Sequence, residues 1–204
     1  AHHYRFQLGE MCAIDAQQKT ITLLPLIDEE GTQVLPSRQI HYDQLVLAIG
    51  SVSNDFGTPG VSEHCYFLDS LQQAERFHRA LLNQLIRINQ QDDSDGRIDV
   101  AIVGAGATGT ELAAQLHHVA NLSKAYGMPD MSAARLRITI VEAGERILPA
   151  LPERIANSAR KALYKLGVDI KEQTMVAEAD ERGLITKDGS RIDADLMVWA
   201  AGVK

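Results

Sequence analysis

Several absences narrow the function of this 204-residue chain before any motif is read. Its two cysteines, Cys12 and Cys65, are too far apart in sequence to form a Cys-x-x-Cys pair. No protein dithiol is therefore offered to relay electrons, and both read as ordinary buried thiols of a reducing compartment. Lysine and arginine number 20 against 27 acidic residues, for a net charge of −7. No basic stripe is interleaved with the few aromatics, which excludes nucleic acid as a partner. The apolar run near the end, Leu196 to Val203, is far too short to span a bilayer. No charged-then-apolar leader opens the chain, so a soluble, cytoplasmic protein is expected. The seven histidines stand singly or as the neighbours His2-His3 and His117-His118, without metal-ligand spacing. His2-His3 reads equally as native sequence or as a tag remnant. No Ser/His/Asp or Cys/His set supports hydrolysis.

What is present is a packable core, with 45% hydrophobic residues, and one stretch around which the chain is organised. Val100-Ala101-Ile102-Val103 runs directly into Gly104-Ala105-Gly106-Ala107-Thr108-Gly109, and an alanine-rich helical pattern follows. The apolar run suits a parallel strand buried on both faces. Gly104 permits the tight turn, Gly106 lets a pyrophosphate approach the backbone, and Gly109 lets the helix lie against the strand. The N–H groups at the start of that helix, with Ala107 and Thr108, face the anion. A strand before and a helix after are the context this motif requires. The expectation is a dinucleotide-binding loop.

In chain order, residues 4–49 read as antiparallel strands. Tyr4–Ile14 and Thr20–Leu24 flank a turn at 15–18, a second turn at 28–31 leads to Thr32–Leu35, and Ser37–His41 reads as polar connection. Leu45–Ile49 is expected as a continuous apolar strand, and the loop 50–60 as a crossing between domains. A helix with Asp69 or Ser70 as its cap carries Leu71, Ala74, Phe77, Leu81, Leu82, Leu85 and Ile88 on one face, and 89–96 end it. The strand Ile98–Val103, a helix from Ala107 to Leu122, and a stop at Gly127-Met128-Pro129 follow. Then come the strand Leu136–Val141, a helix opened by Pro152 and closed by Gly167, a short strand at 168–170, a hairpin over 175–186 and a closing strand at 196–200. The fold class is α/β: a Rossmann-like parallel sheet with helices and a small antiparallel β-meander.

Two segments echo each other. Asp43–Gly50 and Asp195–Gly202 share an acid, strand residues with valine in one register, an alanine and a closing glycine. Duplication of a dinucleotide-binding unit explains this. The first unit's own glycine loop is then expected before residue 1, in a longer protein.

The acids near the loop add specificity. Glu142 ends the strand after the glycine-motif helix, where a carboxylate accepts ribose hydroxyls and repels the 2′-phosphate of NADP(H). Its spacing departs from the usual pattern. It stands 33 residues after Gly109 rather than about 20, so 121–134 read as an insertion. Arg146 is either a partner for a 2′-phosphate or a paired surface group. Glu111 is either a carboxylate favoured by the helix dipole or a hydrogen-bonding group beside the nicotinamide. Ala201 and Gly202 lie at the carboxyl end of the closing strand, where small residues admit a flat cofactor.

Tyr42–Ser51 with Asn54–Val61, Val103–Leu112, Val141–Pro149 and Leu196–Gly202 together resemble the type II NADH:quinone oxidoreductases of bacteria. The resemblance implies the two-domain fold of the FAD-dependent pyridine nucleotide-disulfide oxidoreductases. Residues 1–66 are then the C-terminal part of an FAD-binding domain, supplying an antiparallel β segment, and 67–204 an NADH-binding Rossmann-like domain. It places NADH at Gly104, Gly106, Ala107, Thr108, Gly109, Glu111 and Glu142, with Ala201 and Gly202 near the cofactors. Ala48 and Gly50 match a second FAD contact motif. It also implies hydride transfer from NADH to FAD and on to quinone in the full-length protein. That protein would lie peripherally on the cytoplasmic face of the inner membrane, attached through segments absent here, and a homodimer is compatible with it. Two other readings stay open: a flavin-dependent reductase of ferredoxin or sulfur compounds, and a non-catalytic NAD(H)-sensing module.

Overall fold

The computed structural model describes residues 3–90, 96–123 and 135–202. The chain divides into two compact units, Ala1–Gly50 and Ser51–Lys204.

The first unit is antiparallel. Strands β1 (Met11–Asp15), β2 (Thr20–Leu23) and β5 (Arg38–His41) form one sheet in the order β1-β2-β5, and β3 (Leu26–Ile27) pairs with β4 (Gln33–Leu35). The two expected turns are built by aspartates. The Asp15 carboxylate accepts the N–H groups of Gln17 and Gln18 at 2.9 and 2.8 Å, and that of Asp28 accepts those of Glu30 and Thr32 at 3.0 and 2.8 Å. Three expectations fail, the first at residues 4–10, which are irregular and exposed ahead of β1 rather than part of a strand from Tyr4. Residues 38–41 are a strand rather than a connection, because β2 supplies a full ladder from Thr20↔His41 to Leu23↔Arg38. Backbone pairing overrides the polar side chains there. Leu45–Ile49, expected as a strand, is irregular, with Val46 85% and Ile49 83% exposed. An apolar run becomes a buried strand only where neighbours pair with it and cover it, and none does so among the described residues. Cys12 is also exposed rather than buried.

The second unit carries a five-stranded parallel sheet ordered β6-β13-β7-β8-β9. Its strands are β6 (Cys65–Tyr66), β13 (Leu196–Trp199), β7 (Ile98–Val103), β8 (Leu136–Val141) and β9 (Asp169–Lys171). Strand alternation divides the core between two faces. Ile98, Val100 and Ile102 of β7, Ile138 and Ile140 of β8, and Leu196 and Val198 of β13 pack with α2 (Leu71–Gln90), α3 (Ala107–Ser123) and α4 (Glu153–Lys165). Ala101, Val103, Val141, Met197 and Trp199 face the antiparallel meander of β10 (Val176–Asp180), β11 (Gly183–Thr186) and β12 (Arg191–Asp193). The expected α/β sheet with a meander layer is thus present. Residues 51–66, grouped from sequence with the first domain, lie in the second unit: Val61, in the short helix α1 (Val61–His64), and Cys65 are buried in the meander-side core, and β6 extends the sheet.

Helix ends follow local chemistry. Ser70 caps α2 by accepting the Gln73 N–H at 3.3 Å, and the Gln73 side chain returns to the Ser70 and Asp69 N–H groups at 3.1 and 2.8 Å. Pro152 stands at the N-cap of α4, one position earlier than expected, and Gly167 leaves the helix at φ +79. The expected stop at 127–129 lies outside the described residues, as do residues 91–95 of the polar segment after α2.

The glycine turn is packed backbone on backbone. A Cβ on Gly109 would stand 2.0 Å from the Gly104 carbonyl oxygen, and one on Gly104, which is at φ +100, would stand 2.7 Å from the Ala200 oxygen. Gly109→Ala is therefore expected to cost about 1–3 kcal/mol, read as a lowered denaturation midpoint; an unchanged midpoint would contradict this packing. Burial pushes the Cys65 thiol up to about 12, whereas Cys12 is exposed. At pH 8 an aromatic disulfide reagent should label Cys12 alone in the native chain and both thiols after denaturation. Because the unfolded thiol ionises near ~8.5 and the folded one far higher, stability from this group is full below that pH and declines as pH rises past it.

Candidate functional site

A cavity of about 570 Å³ opens at the carboxyl ends of β13, β7 and β8, the side of an open parallel sheet where ligands bind. Its floor is Val103, Gly104 and Gly106. One wall is Val141, Glu142 and Ala143 with Thr174–Val176, and the other is Trp199–Gly202 with Phe56 and Thr58.

The floor is held open by the glycine turn. Gly104 N–H donates to the Val141 carbonyl at 2.8 Å, and Leu148 N–H donates to the Ala105 carbonyl at 2.8 Å. A Cβ on Gly106 would meet nothing within 4 Å. Steric need thus explains Gly104 and Gly109 without a ligand. At Gly106 only the space in front of the backbone is explained, and that space is cavity. Thr110 anchors the start of α3 by donating to the Gly106 carbonyl at 2.8 Å.

Among the residues lining the cavity, Glu142 has the most side-chain hydrogen bonds. One carboxylate oxygen accepts the Ala105 N–H at 2.7 Å and the other the Gly144 N–H at 2.7 Å. Its own N–H donates to Lys171, and its carbonyl accepts from Thr174. The half-buried carboxylate therefore ties the glycine turn to the loop leaving β8. A carboxylate offers roughly four lone-pair positions, so each oxygen retains capacity for a ribose hydroxyl. Arg146 donates to the carbonyls of Leu148, Pro149 and Leu151 at 3.1, 2.9 and 2.9 Å. Its guanidinium braces this loop, which fits the paired-group alternative.

The other wall is braced from within. The buried Trp199 donates its indole N–H to the Asn54 carbonyl at 2.9 Å, and the Asn54 side chain accepts the Phe56 N–H at 2.9 Å. Asp69 accepts both the N–H and the hydroxyl of Ser53, at 3.0 and 2.7 Å. The Pro59 carbonyl accepts the Ala179 N–H at 2.9 Å, fastening the same segment to the meander.

Of the residues singled out from sequence, Gly104, Gly106, Glu142, Ala201 and Gly202 line one cavity. Gly109 is buried behind the turn, whereas Ala107, Thr108 and Glu111 are exposed at the start of α3 and do not line the cavity wall. Ala48 and Gly50 stand in the exposed tail of the first unit. Phe56, Thr58 and Thr174–Val176 were not anticipated. Only Phe56 carried a signal, as a lone aromatic in a loop of Gly, Asn and Pro. Among the described residues no group of three or more His, Cys, Asp or Glu could hold a metal ion, and no helix is long and apolar enough to cross a membrane.

The family profile described as pyridine nucleotide-disulphide oxidoreductase matches residues 1–204. The type II NADH:quinone oxidoreductase of Haemophilus influenzae is 42% identical over the whole chain, which spans 49% of that protein. The mitochondrial external alternative NAD(P)H-ubiquinone oxidoreductase B2 of Arabidopsis thaliana is 32% identical over 80% of the chain and 29% of its own length. The chain thus spans about half, or less, of the relatives it matches. Among solved structures, NDH2 of Plasmodium falciparum in complex with NADH superposes with a TM-score of 0.71 at 22% identity, covering 96% of this chain and 40% of that one. The fold is the same. The chain belongs to the pyridine nucleotide-disulphide oxidoreductase family.

Proposed function

We propose that the second unit binds NADH in the cavity at the carboxyl ends of its sheet, and that the first unit is part of an FAD-binding domain. The complete protein is then an NADH:quinone oxidoreductase, attached peripherally to the cytoplasmic face of the inner membrane. The single observation that carries this reading is the junction of Gly106 and Glu142. An unobstructed backbone at a helix start and a carboxylate tied to the same turn form one wall-to-floor corner of a cavity. The 42% identity to the Haemophilus influenzae enzyme supports the activity of the whole.

The chain's own residues divide the binding work. Gly106 and the start of α3 take the pyrophosphate, Glu142 takes the adenosine ribose, and Ala201 and Gly202 leave room for the nicotinamide. Preference for NADH over NADPH has two parts: Glu142 repels a 2′-phosphate, and Arg146, the cation the sequence offered for one, is committed to backbone carbonyls. Reduced nicotinamide supplies a hydride when bound, and a flavin in the complete protein receives it. Ala48 and Gly50 are offered as flavin contacts, on exposed backbone where a Cβ on Gly50 would meet nothing within 4 Å.

Titration of the chain with NADH and NADPH tests this reading. NADH is expected to bind saturably and at least about tenfold more tightly than NADPH. Gly106→Ala should abolish that preference-bearing site while leaving the melting temperature within about 2 °C, because its new methyl occupies cavity rather than protein. The chain alone should turn over little or no quinone with added FAD. Equal affinity for the two nucleotides, or an undisturbed Gly106→Ala variant, would refute the assignment.

A further inference from the structure

Phe56 is a cavity residue that neither the packing of the core nor the glycine motif explains. It is 65% exposed although it is aromatic, it lines the cavity, and its backbone stands at φ +54. Left-handed backbone is unfavourable for a bulky side chain and persists only where its surroundings impose it. The imposing groups are identifiable. The Asn54 side chain accepts the Phe56 N–H, and the Asn54 carbonyl is in turn held by the buried indole of Trp199. The ring is also fitted to its neighbour. A Cβ on Gly202 would lie 2.5 Å from the Phe56 ring, so the ring rests on bare glycine backbone, itself at φ +69. Two residues in left-handed conformation thus hold an aromatic ring in a cavity wall, solvent-facing, at the cost of local strain.

Sheet order says which part of a ligand meets this ring. β13 and β8 flank β7 on opposite sides. Glu142 follows β8, so a dinucleotide whose pyrophosphate lies over Gly106 and whose adenosine ribose meets Glu142 directs its other end toward β13. That end carries Ala201, Gly202 and Phe56.

We propose that Phe56 is a positioning residue whose ring forms the platform for the nicotinamide end of the bound dinucleotide. Aromatic rings gain from offset or edge-on contact with a second ring beyond the area they bury. A ring already fixed in place loses no further freedom when the ligand arrives. The proposal rests on the NADH site proposed above and adds to it a specific residue outside the glycine motif.

Calorimetric titration of the chain with NADH and, separately, with ADP-ribose tests it, because ADP-ribose shares the adenosine and pyrophosphate but lacks the nicotinamide. Phe56→Gly is the informative variant: glycine accepts φ +54 without strain, so the fold is retained, as an unchanged or raised melting temperature will show. The expected result is an about tenfold loss of NADH affinity, with ADP-ribose unchanged within about twofold. Phe56→Tyr should restore the NADH value, since it keeps the ring. In the control variant Glu142→Ala both ligands should weaken. Equal weakening of both ligands in Phe56→Gly, or no weakening of NADH, would overturn the platform. Failure of the unsubstituted chain to bind either ligand would instead overturn the site itself, and the platform with it.

Discussion

Close approach of backbone to backbone at the end of β7 is the constraint on which the rest of the second unit depends. Gly104 lies against the Ala200 carbonyl, and Gly109 lies against the Gly104 carbonyl. A single methyl at either place would push β13 or α3 away from the turn. These contacts let a strand, a turn and a helix start share one small volume. They set the cavity floor beside three strand ends at once. The sheet around them is ordinary in construction, with β-branched residues alternating between a helical layer and a meander layer. What is particular to this chain is how little side chain separates its backbones at the point where a ligand would lie.

Around that point the polar groups build the site's walls and leave its centre clear. Glu142 fastens the turn to the loop after β8, Arg146 braces that loop, and Trp199 holds the segment that carries Phe56. Each of these is a long side chain used to fix backbone. Fixed backbone is what recognition of a dinucleotide requires, because much of the binding comes from N–H groups and from the absence of Cβ atoms. The same logic separates Gly106 from its neighbours. Gly104 and Gly109 are glycine because the protein is in the way; Gly106 is glycine with nothing in the way.

Most of the second unit was legible in the sequence. Ile98–Val103 and Leu136–Val141 were placed to the residue, since an apolar run bounded by a glycine turn or an acid leaves few alternatives. The capping residues of α2 and the glycine ending α4 were equally local signals. The misreadings came where pairing partners decide. Arg38–His41 has the composition of a loop and becomes a strand because β2 lies beside it. Leu45–Ile49 has the composition of a buried strand and stays irregular because no described strand pairs with it. Its echo, 195–202, has the same pattern and forms β13, between β6 and β7. In the site, Gly104, Gly106 and Glu142 carried their own motif. Phe56 and Thr174–Val176 reach the cavity only through the tertiary fold, so spacing along the chain could not reveal them.

The most direct measurement of the central claim is a titration of the isotopically labelled chain with NADH, followed through its amide and indole N–H resonances. The account predicts that the resonances of Ala105, Gly106, Gly144 and Gly202 and the Trp199 indole move together and saturate at one affinity. Those of Glu181 and Arg182, in the turn at the opposite end of the meander near Asp99 at the start of β7, should stay in place. Shifts confined to other surfaces, or none at saturating NADH, would contradict it.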